Sequence, residues 1–301
     1  MAPLTLSIII PTFNRPQATM RALDSIGDLE GIDHEIIVVD DASGVPFGDT
    51  LTAHSKKAVT LVRHDTNKGA GAARNTALDI ARGRLITFLD SDDRLLPGTL
   101  RERVHFALTQ GLDDALNAAT LIGCAWDDFS EAGTYLRTRT PLETQSPSDF
   151  YRGCWFSPGS CIIANRTLFE RPGMRYDERL RRLEDYDIFL KLGAITGAKL
   201  VTQPIIGAAI TVGGTRPSDH VFDASIIIEA KLMAAVAAGS LTQGDLRRGR
   251  AYLRYERAKY HLQSRSYVNG LANLAGSWLG SPRLKPYPGP GWDITQRPDA
   301  G

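Results

Sequence analysis

Three carboxylate side chains, those of Asp90, Asp92 and Asp93, stand directly after the short apolar run 85–89. Such a run is typical of a strand buried on both faces of a parallel sheet, and ligands bind beyond the carboxyl ends of these strands. On an extended strand end, Asp90 and Asp92 would point to the same side and offer two hard oxygen ligands to one Mg²⁺ or Mn²⁺. In the alternative interpretation the segment is a solvated turn in which Asp93 caps the next helix, but capping needs only one acid. The spacing therefore favours a metal or nucleotide site.

A second cluster of acids, formed by Glu184, Asp185 and Asp187, opens a predicted helix. The helix macrodipole favours acids in the first turn, which explains one or two of the three. It does not explain why they directly follow the arginine-rich stretch 179–182. This cluster is therefore a second candidate for chemistry.

The glycine-containing turn 67–71 precedes a predicted helix that carries Arg74 in its first turn. Backbone N–H groups at a helix start favour an anion, and Arg74 adds a cation there. The turn matches neither GxGxxG nor GxxxxGK[ST], so it indicates neither a dinucleotide fold nor a Walker motif. A helix start with a surface arginine explains this segment equally well.

The elements that must position these residues alternate along the first part of the chain. Each apolar strand pattern ends in a polar turn and is followed by a helical pattern, which predicts an α/β fold with a mostly parallel, doubly wound sheet and flanking helices. The strand patterns cover residues 6–10, 35–39, 59–62 and 85–89, and the helical patterns cover residues 18–26, 72–81 and 97–109.

The second part of the chain changes character beyond Thr215. Before that point we predict a hairpin from residues 119–126 and 134–139, with its bend at 127–128 and 131–133, and a further strand at 161–164. After it come helices at 221–238 and 243–263 and an apolar stretch at 270–279. We therefore divide the chain into an α/β domain (1–215), a C-terminal helical region (216–280) and an irregular tail rich in Pro and Gly (281–301).

Composition limits the classes of function. Of 301 residues 43% are hydrophobic, which suffices for a core, and the formal net charge of +1 argues against broad binding of nucleic acid. The cysteines, Cys124, Cys154 and Cys161, lack CxxC spacing and are expected to be reduced core residues of a cytosolic protein. The first apolar run is too short for a signal peptide, and no run reaches the length of a membrane span. We expect a soluble, cytoplasmic protein.

The segment from Gln243 to Arg265 is strongly basic. Its seven cations stand against Asp245 and Glu256, and tyrosines interleave with them. A solvated helix face is the default interpretation; the alternative is peripheral contact with an anionic membrane or a lipid-diphosphate acceptor. The cations are Arg247, Arg248, Arg250, Arg254, Arg257, Lys259 and Arg265, and the tyrosines are Tyr252, Tyr255 and Tyr260.

Taken in order, several motifs of this chain resemble those of glycosyltransferase family 2 over about residues 5–215. The motifs are Ile8-Ile9-Ile10-Pro11-Thr12-Phe13-Asn14-Arg15, Val38-Val39-Asp40-Asp41-Ala42-Ser43, Asn67-Lys68-Gly69 with Ala73-Arg74-Asn75, Phe88-Leu89-Asp90-Ser91-Asp92-Asp93, and Glu184-Asp185-Tyr186-Asp187. The resemblance implies a GT-A fold and an inverting transferase with a nucleotide-diphospho-sugar donor and Mg²⁺ or Mn²⁺ as cofactor. It also implies a saccharide or lipid-linked acceptor in surface polysaccharide synthesis of the bacterial type.

The resemblance assigns the nucleotide-sugar to residues near the strand ends. Asp41 would accept a hydrogen bond from the imide N–H of the base, which favours uracil. Arg74 would lie beside the nucleotide, and Asp90 would lie near the ribose or the metal. The full set of expected nucleotide-sugar-binding residues is Pro11, Thr12, Phe13, Asn14, Asp41, Arg74, Asp90 and Ser91.

The resemblance also assigns the metal and the base. Asp92, with Asp90, would hold the metal on the diphosphate, and Asp185 matches the general base. Family members often carry a histidine shortly after the last core strand, but the corresponding segment 212–218 lacks one. His220 is the nearest substitute for a third protein ligand.

Other functions remain open at this point. A sugar-nucleotide pyrophosphorylase would have a G-x-G-[ST]-R turn after the first strand, where this chain has Pro11-Thr12-Phe13-Asn14. A hydrolase is disfavoured because Asp90 and Asp92 are too close in sequence to straddle a glycosidic bond. A non-catalytic sugar-nucleotide-binding protein would be expected to lack Asp92 or Asp185. Trp155 is either a platform for an acceptor sugar or a packing residue.

Overall fold

The computed structural model describes residues 4–54, 58–154, 159–212, 218–280 and 292–295. The strands are β1 (Leu6–Thr12), β2 (His34–Asp40), β3 (Val59–Arg63), β4 (Leu85–Phe88), β5 (Arg94–Leu95), β6 (Thr120–Phe129), β7 (Tyr135–Pro141), β8 (Ile162–Asn165), β9 (Lys199–Thr211) and β10 (Trp292–Thr295). The helices are α1 (Pro16–Ser25), α2 (Gly48–His54), α3 (Ala70–Ile80), α4 (Thr99–Thr109), α5 (Arg166–Glu170), α6 (Glu184–Gly193), α7 (His220–Ala237), α8 (Gln243–Gln263) and α9 (Tyr267–Gly280).

The described strands join one mixed sheet, whose main path runs β10-β7-β6-β8-β4-β1-β2-β3. Its β3, β2, β1 and β4 are parallel, and the connections between them carry α1, α2 and α3. Strand β8 lies antiparallel between β4 and β6, and β9 runs parallel to β6. The predicted α/β class is confirmed, with the parallel pairing concentrated in the N-terminal half. The carboxyl ends of β1, β2 and β4 meet at one edge.

The sheet is covered on both faces because its central strands are apolar at nearly every position. In β1, Ile8 and Ile10 belong to the core that includes buried residues of α1, α2 and α4. Ile9 points to the opposite face, where α3, α5 and α6 contribute to a second core. Each such side chain stabilises the fold by about 1.5–3 kcal/mol on burial. The strand ends that carry the polar turns are therefore anchored from both sides.

The C-terminal helices add a third core against the outer face of α6. Tyr186 of α6 is fully buried there and contacts Tyr252 of α8, with ring centroids 4.6 Å apart. Tyr252 is thus a packing residue rather than part of an exposed face. Helix α9 packs along α8, and Ser277 donates to the carbonyl of Ala251. Among the described residues, no helix combines the length and hydropathy needed to cross a membrane.

Two local predictions and one alternative interpretation differ from the structure. Asp127 and Asp128 do not form a bend, since they lie within β6 and pair with β7, which shifts the hairpin turn beyond Phe129. The predicted irregular tail contains β10, which pairs antiparallel with β7, a partner about 150 residues away that no local pattern reveals. Asp93 does not cap α4, because its carboxylate is buried and accepts a hydrogen bond from Ser160.

Candidate functional site

A cavity of about 560 Å³ opens where the carboxyl ends of β1, β2 and β4 meet. The turns after these strands form one side, and the start of α3 and the segment leading into α6 form the other. The lining residues are Pro11, Thr12, Phe13, Arg15, Asp41, Asn67, Gly69, Ala70, Ala73, Arg74, Asp90, Ser91, Asp92, Arg181, Arg182, Glu184 and His220. The wall therefore carries charged groups of both signs.

The turn after β1 presents an aromatic side chain to the cavity. Phe13 is 43% exposed, which is unusual for a phenylalanine, and it lies on the cavity wall. Asn14 does not line the cavity: its backbone N–H donates to Ser43 Oγ, and its side-chain oxygen accepts from the N–H of Gly44. Asn14 therefore ties the turn after β1 to the turn after β2. An exposed ring held in this way is available to a planar ligand such as a base.

Asp41 connects the end of β2 to the start of α3. Its Oδ1 accepts from the backbone N–H of Lys68 at 2.8 Å, and its Oδ2 accepts from that of Gly69 at 2.7 Å. His64 Nδ1 lies 2.7 Å from the same Oδ1. Gly69 has φ +95°, where a side chain would be strained. Asp41 thus anchors the glycine turn while lining the cavity, whereas the preceding Asp40 is buried and binds Arg63.

Arg74 is the buried cation at the centre of the site. Its guanidinium donates to Asp90 at 2.8 Å and to Glu184 at 3.3 Å, and it lies 3.6 Å from Asp185. It also lies over the ring of Tyr176, 5.3 Å from the centroid. Burial works against its charge, but the carboxylates, led by Asp185, hold the pKa of Arg74 well above its ordinary value. Arg74 therefore fixes both predicted acid clusters around one point.

Asp90 and Asp92 both line the cavity, although not for the reason that the sequence suggests. They lie in a turn closed by the Asp93 N–H donating to the Asp90 carbonyl, rather than on an extended strand end. Asp92 accepts from Arg15 at 2.6 Å. Burial raises the pKa of Asp92; Arg15 opposes the rise and Asp90 adds to it. Two neighbouring carboxylates repel each other, so a cation is favoured beside them.

Glu184 and Asp185 open α6 and divide between two cavities. Glu184 lines the main cavity, whereas Asp185 lines an adjacent smaller one with apolar walls that include Phe88 and Ile188. Burial raises the pKa of Asp185 to about 7; Arg74 opposes this rise, and the charge of Glu184 adds to it. A carboxylate with a pKa near neutrality is suited to accept a proton at physiological pH.

The structure thus brings most of the predicted site residues to one cavity. Pro11, Thr12, Phe13, Asp41, Arg74, Asp90, Ser91 and Asp92 line it together. Asn14 braces it from outside, and Asp185 reaches the same guanidinium from the neighbouring cavity. Trp155 and most of the segment 212–218 lie outside the described residues. His220, suggested as a substitute ligand, lines the cavity.

Several cationic lining residues escaped the predicted set. Arg181 donates to the side-chain oxygen and the carbonyl of Asn67, a residue 114 positions away. Arg182 follows it on the wall, and Arg15 pairs with Asp92. The arginine-rich stretch 179–182 was the sequence feature that could have predicted these lining cations. Their partners become apparent only in the folded chain.

The acidic donor set fits a divalent cation that is shared with a ligand. Mg²⁺ is usually bound by one or two carboxylates together with substrate phosphates, rather than by a cage of protein groups. Asp92 and Asp90 supply two hard oxygen donors on the wall of a cavity large enough for a nucleotide. In the described ranges no group of three or more His, Cys, Asp or Glu side chains is arranged so that it could hold a metal ion by itself. The Arg15–Asp92 pair is half-exposed, so it costs little to open.

One protein family and several named proteins are similar to this chain. The model of the family described as "Glycosyl transferase family 2" matches residues 7–172. The chain is 32% identical over 206 residues to the "Succinoglycan biosynthesis protein ExoO" of Rhizobium meliloti, covering 67% of this chain and 59% of that protein. It is 31% identical over 193 residues to the "Putative colanic acid biosynthesis glycosyl transferase WcaA" of Escherichia coli, covering 62% of this chain and 65% of that protein. These alignments thus span less than two thirds of both relatives.

Solved structures share the fold. The crystal structure of S. aureus TarS 1–349 in complex with UDP superposes with a TM-score of 0.61 at 18% sequence identity, covering 93% of this chain and 81% of that chain. The corresponding complex with UDP-GlcNAc superposes with a TM-score of 0.59 at 15% identity, covering 90% of this chain and 89% of that chain. The likeness therefore extends over the α/β domain and into the C-terminal helices.

Proposed function

The chain belongs to glycosyl transferase family 2, and from this premise we propose that it transfers a sugar from a nucleotide-diphospho-sugar to a saccharide or lipid-linked acceptor in the synthesis of a surface polysaccharide. The observation that carries the proposal is the single cavity that collects Phe13, Asp41, Arg74, Asp90 and Asp92 from four separate segments. Two relatives named for the biosynthesis of succinoglycan and colanic acid support the type of product.

A uridine nucleotide is the proposed donor group. Phe13 offers an exposed ring to the base, and the carboxylate of Asp41 lines the same cavity as an acceptor for an imide N–H. The cations Arg15, Arg181 and Arg182 supply positive charge where a diphosphate would lie. Structures of similar fold with UDP and UDP-GlcNAc bound support this choice of donor class.

Asp92 and Asp90 are the proposed ligands of Mg²⁺ or Mn²⁺. When bound, the cation would supply charge neutralisation at the leaving diphosphate. The half-exposed Arg15 would exchange its contact with Asp92 for the phosphates, since an exposed ion pair contributes only about 0.2–1 kcal/mol. The chain's own contribution is to hold two carboxylates and several cations in one place before the donor arrives.

Asp185 is the proposed general base of a single in-line displacement with inversion. It would take the proton of the acceptor hydroxyl as the oxygen forms a bond to the anomeric carbon and the bond from that carbon to the diphosphate breaks. Its pKa of about 7 makes it a far better acceptor of this proton than an ordinary aspartate. Arg74 holds Asp185 and Glu184 in place, so the neighbouring acid is the main rival for the role.

Peripheral contact with an anionic membrane is part of the same proposal, through the hairpin of α8 and α9. The cations of α8 do not share one free face, because Arg248 pairs with Asp245 and Arg250 with Glu229. Helix α9 carries no charged side chain, and Val268 exposes 81% of its surface. Leu271 and Leu279 are also exposed, on a helix that packs beside the basic one. An apolar helical face bordered by cations is the pattern of interfacial helices.

A panel of nucleotide-sugars tests the proposed function. Hydrolysis of at least one UDP-sugar is expected with Mg²⁺ or Mn²⁺ and is expected to stop in chelator. In the Asp92→Ala variant, added Mg²⁺ or Mn²⁺ should no longer increase the rate of hydrolysis. Asp28→Ala is the matched control, since Asp28 is exposed in the loop before β2, at the opposite edge of the sheet. If no nucleotide-sugar is bound or hydrolysed, or if both variants behave alike, the proposal fails.

A further inference from the structure

A second cavity, of about 300 Å³, lies beside the first. It is enclosed by β7, the end of β9, the start of α7 and the last turns of α8. Its lining residues are Arg139, Arg182, Val212, Ser218, Val221, Glu256, Lys259, Tyr260 and Gln263. None of the expected donor-binding residues is among them, so the family resemblance leaves this cavity without a role.

The two cavities share one lining residue, Arg182. The consecutive residues His220 and Val221 line one cavity each. The charge of Arg182 acts on Asp185, which follows it by three residues. A ligand in the second cavity would therefore contact Arg182, which links it to both the donor cavity and the proposed base, while staying separate from the nucleotide.

The walls of the second cavity carry an excess of positive charge. Asp128 is the buried partner of Arg139, but it also binds Arg137, so one carboxylate serves two cations. Lys259 pairs with Glu256 at 2.7 Å. Arg182, which lies between the cavities, has no ion-pair partner within the described part of the chain. The charged residues that line the cavity, Arg139, Arg182, Lys259 and Glu256, sum to a formal charge of +2.

Neutral polar groups complete the cavity. Tyr260 brings a hydroxyl, with its ring held edge-on against Phe222 at 4.9 Å between centroids. Gln263, the last residue of α8, brings an amide. A hydroxyl, an amide and surplus cations are the donors that recognise phosphate oxygens.

We propose that this second cavity binds a phosphate group of the acceptor, as a diphosphate or a phosphate ester, and so places the acceptor hydroxyl at Asp185. The inference rests on the proposed function, because it takes the first cavity as the donor site. The phosphate could belong to a lipid-linked diphosphate or to a phosphorylated saccharide, and both present the same oxyanion to the cations.

Calorimetry with the donor cavity filled tests this assignment. The full chain is saturated with UDP at a fixed concentration of free Mg²⁺, and farnesyl diphosphate or glucose 1-phosphate is then titrated. Binding of at least one probe on top of UDP is expected, and the tighter probe identifies the source of the phosphate. If neither probe binds, or if both compete with UDP, the second site does not exist.

Gln263→Glu places a negative charge at the cavity without removing any ion pair. Probe affinity should fall at least about fivefold, the effect of one unit charge at about 4 Å in water. Gln110→Glu is the matched control, since Gln110 is an exposed residue at the end of α4, away from both cavities. Lys259→Gln is a second variant that removes a lining cation. Equal probe affinity in the unmodified chain, Gln263→Glu and Lys259→Gln would overturn the assignment.

The two proposals fail in different ways. If UDP does not bind the unmodified chain, the proposed donor site is wrong. If UDP binds with equal affinity in every variant but the phosphate probes do not bind beside it, only the second site is wrong.

Discussion

The rate of donor hydrolysis should decrease as the pH is lowered, because the Asp185 carboxylate then takes up a proton. Its pKa is raised to about 7 by burial, with Arg74 opposing and Glu184 adding to the rise. Only the carboxylate accepts a proton, so the fraction of active base falls about tenfold for each pH unit below the pKa. We therefore expect kcat/KM for the donor at pH 6 to be about one tenth of its plateau value, and about one hundredth at pH 5.

The neighbouring carboxylate of Glu184 contributes to the pH at which this limb lies, in addition to burial. Glu184 and Asp185 both approach Nη1 of Arg74, at 3.3 and 3.6 Å. Their oxygens are therefore at most about 7 Å apart, where a unit charge contributes roughly 0.6–1.2 kcal/mol at an effective dielectric constant of about 80 to 40. Glu184→Gln should then lower the apparent pKa of the acidic limb by about 0.5 to 1 pH unit. Turnover at the plateau should change less.

The assay is hydrolysis of the nucleotide-sugar found in the panel, between pH 5 and 9, with water in place of the acceptor. Asp185→Asn keeps the shape and removes the proton acceptor, so turnover should drop by about 10²–10⁴-fold while donor Kd stays within a few fold. Thermal melts check that each variant is folded. A flat profile across this range would refute the reasoning. If Asp185→Asn keeps most of its turnover and Glu184→Gln is inactive, the base is Glu184 and not Asp185.

Four further outcomes are expected. Calorimetry should show UDP binding at least about tenfold weaker in chelator and in Asp92→Ala; undiminished metal-dependent binding by the variant contradicts the ligand assignment. Arg74→Met should lower the free energy of unfolding in urea by about 3–5 kcal/mol, because it leaves the carboxylates around it without their cation, and Arg74→Lys should lower it less. The native pKa of Asp185 lies above its unfolded value, so its charged form costs stability at high pH; Asp185→Asn should melt a few degrees higher at pH 8, and the gain should shrink towards pH 4. Co-sedimentation should be stronger with anionic than with neutral liposomes and weaker after Leu271→Asp; equal binding to both lipids removes the membrane contact.

The sequence alone determined the α/β class and predicted where the candidate site lies. Buried parallel strands have a local signature, and the polar residues that follow them must gather at one edge because parallel strands end together. The positions of Asp90 and Asp92 along the chain predicted a site at this edge, the family resemblance added Asp41 and Arg74, and all four line one cavity. The same logic identified the acids at the start of α6, since a run of three exceeds what a helix start needs.

Tertiary structure decided which of these groups touch one another. Arg181 reaches Asn67 across 114 residues, and Arg15 reaches Asp92 across 77. Such contacts depend on strand order and helix placement, which periodicity along the chain does not encode. Strand order and helix placement also decide the turn that directs Asp92 into the cavity. They likewise decide the burial that raises the pKa of Asp185. The second cavity is the extreme case, because Arg182 and Lys259 become neighbours only when α8 folds back on the α/β domain.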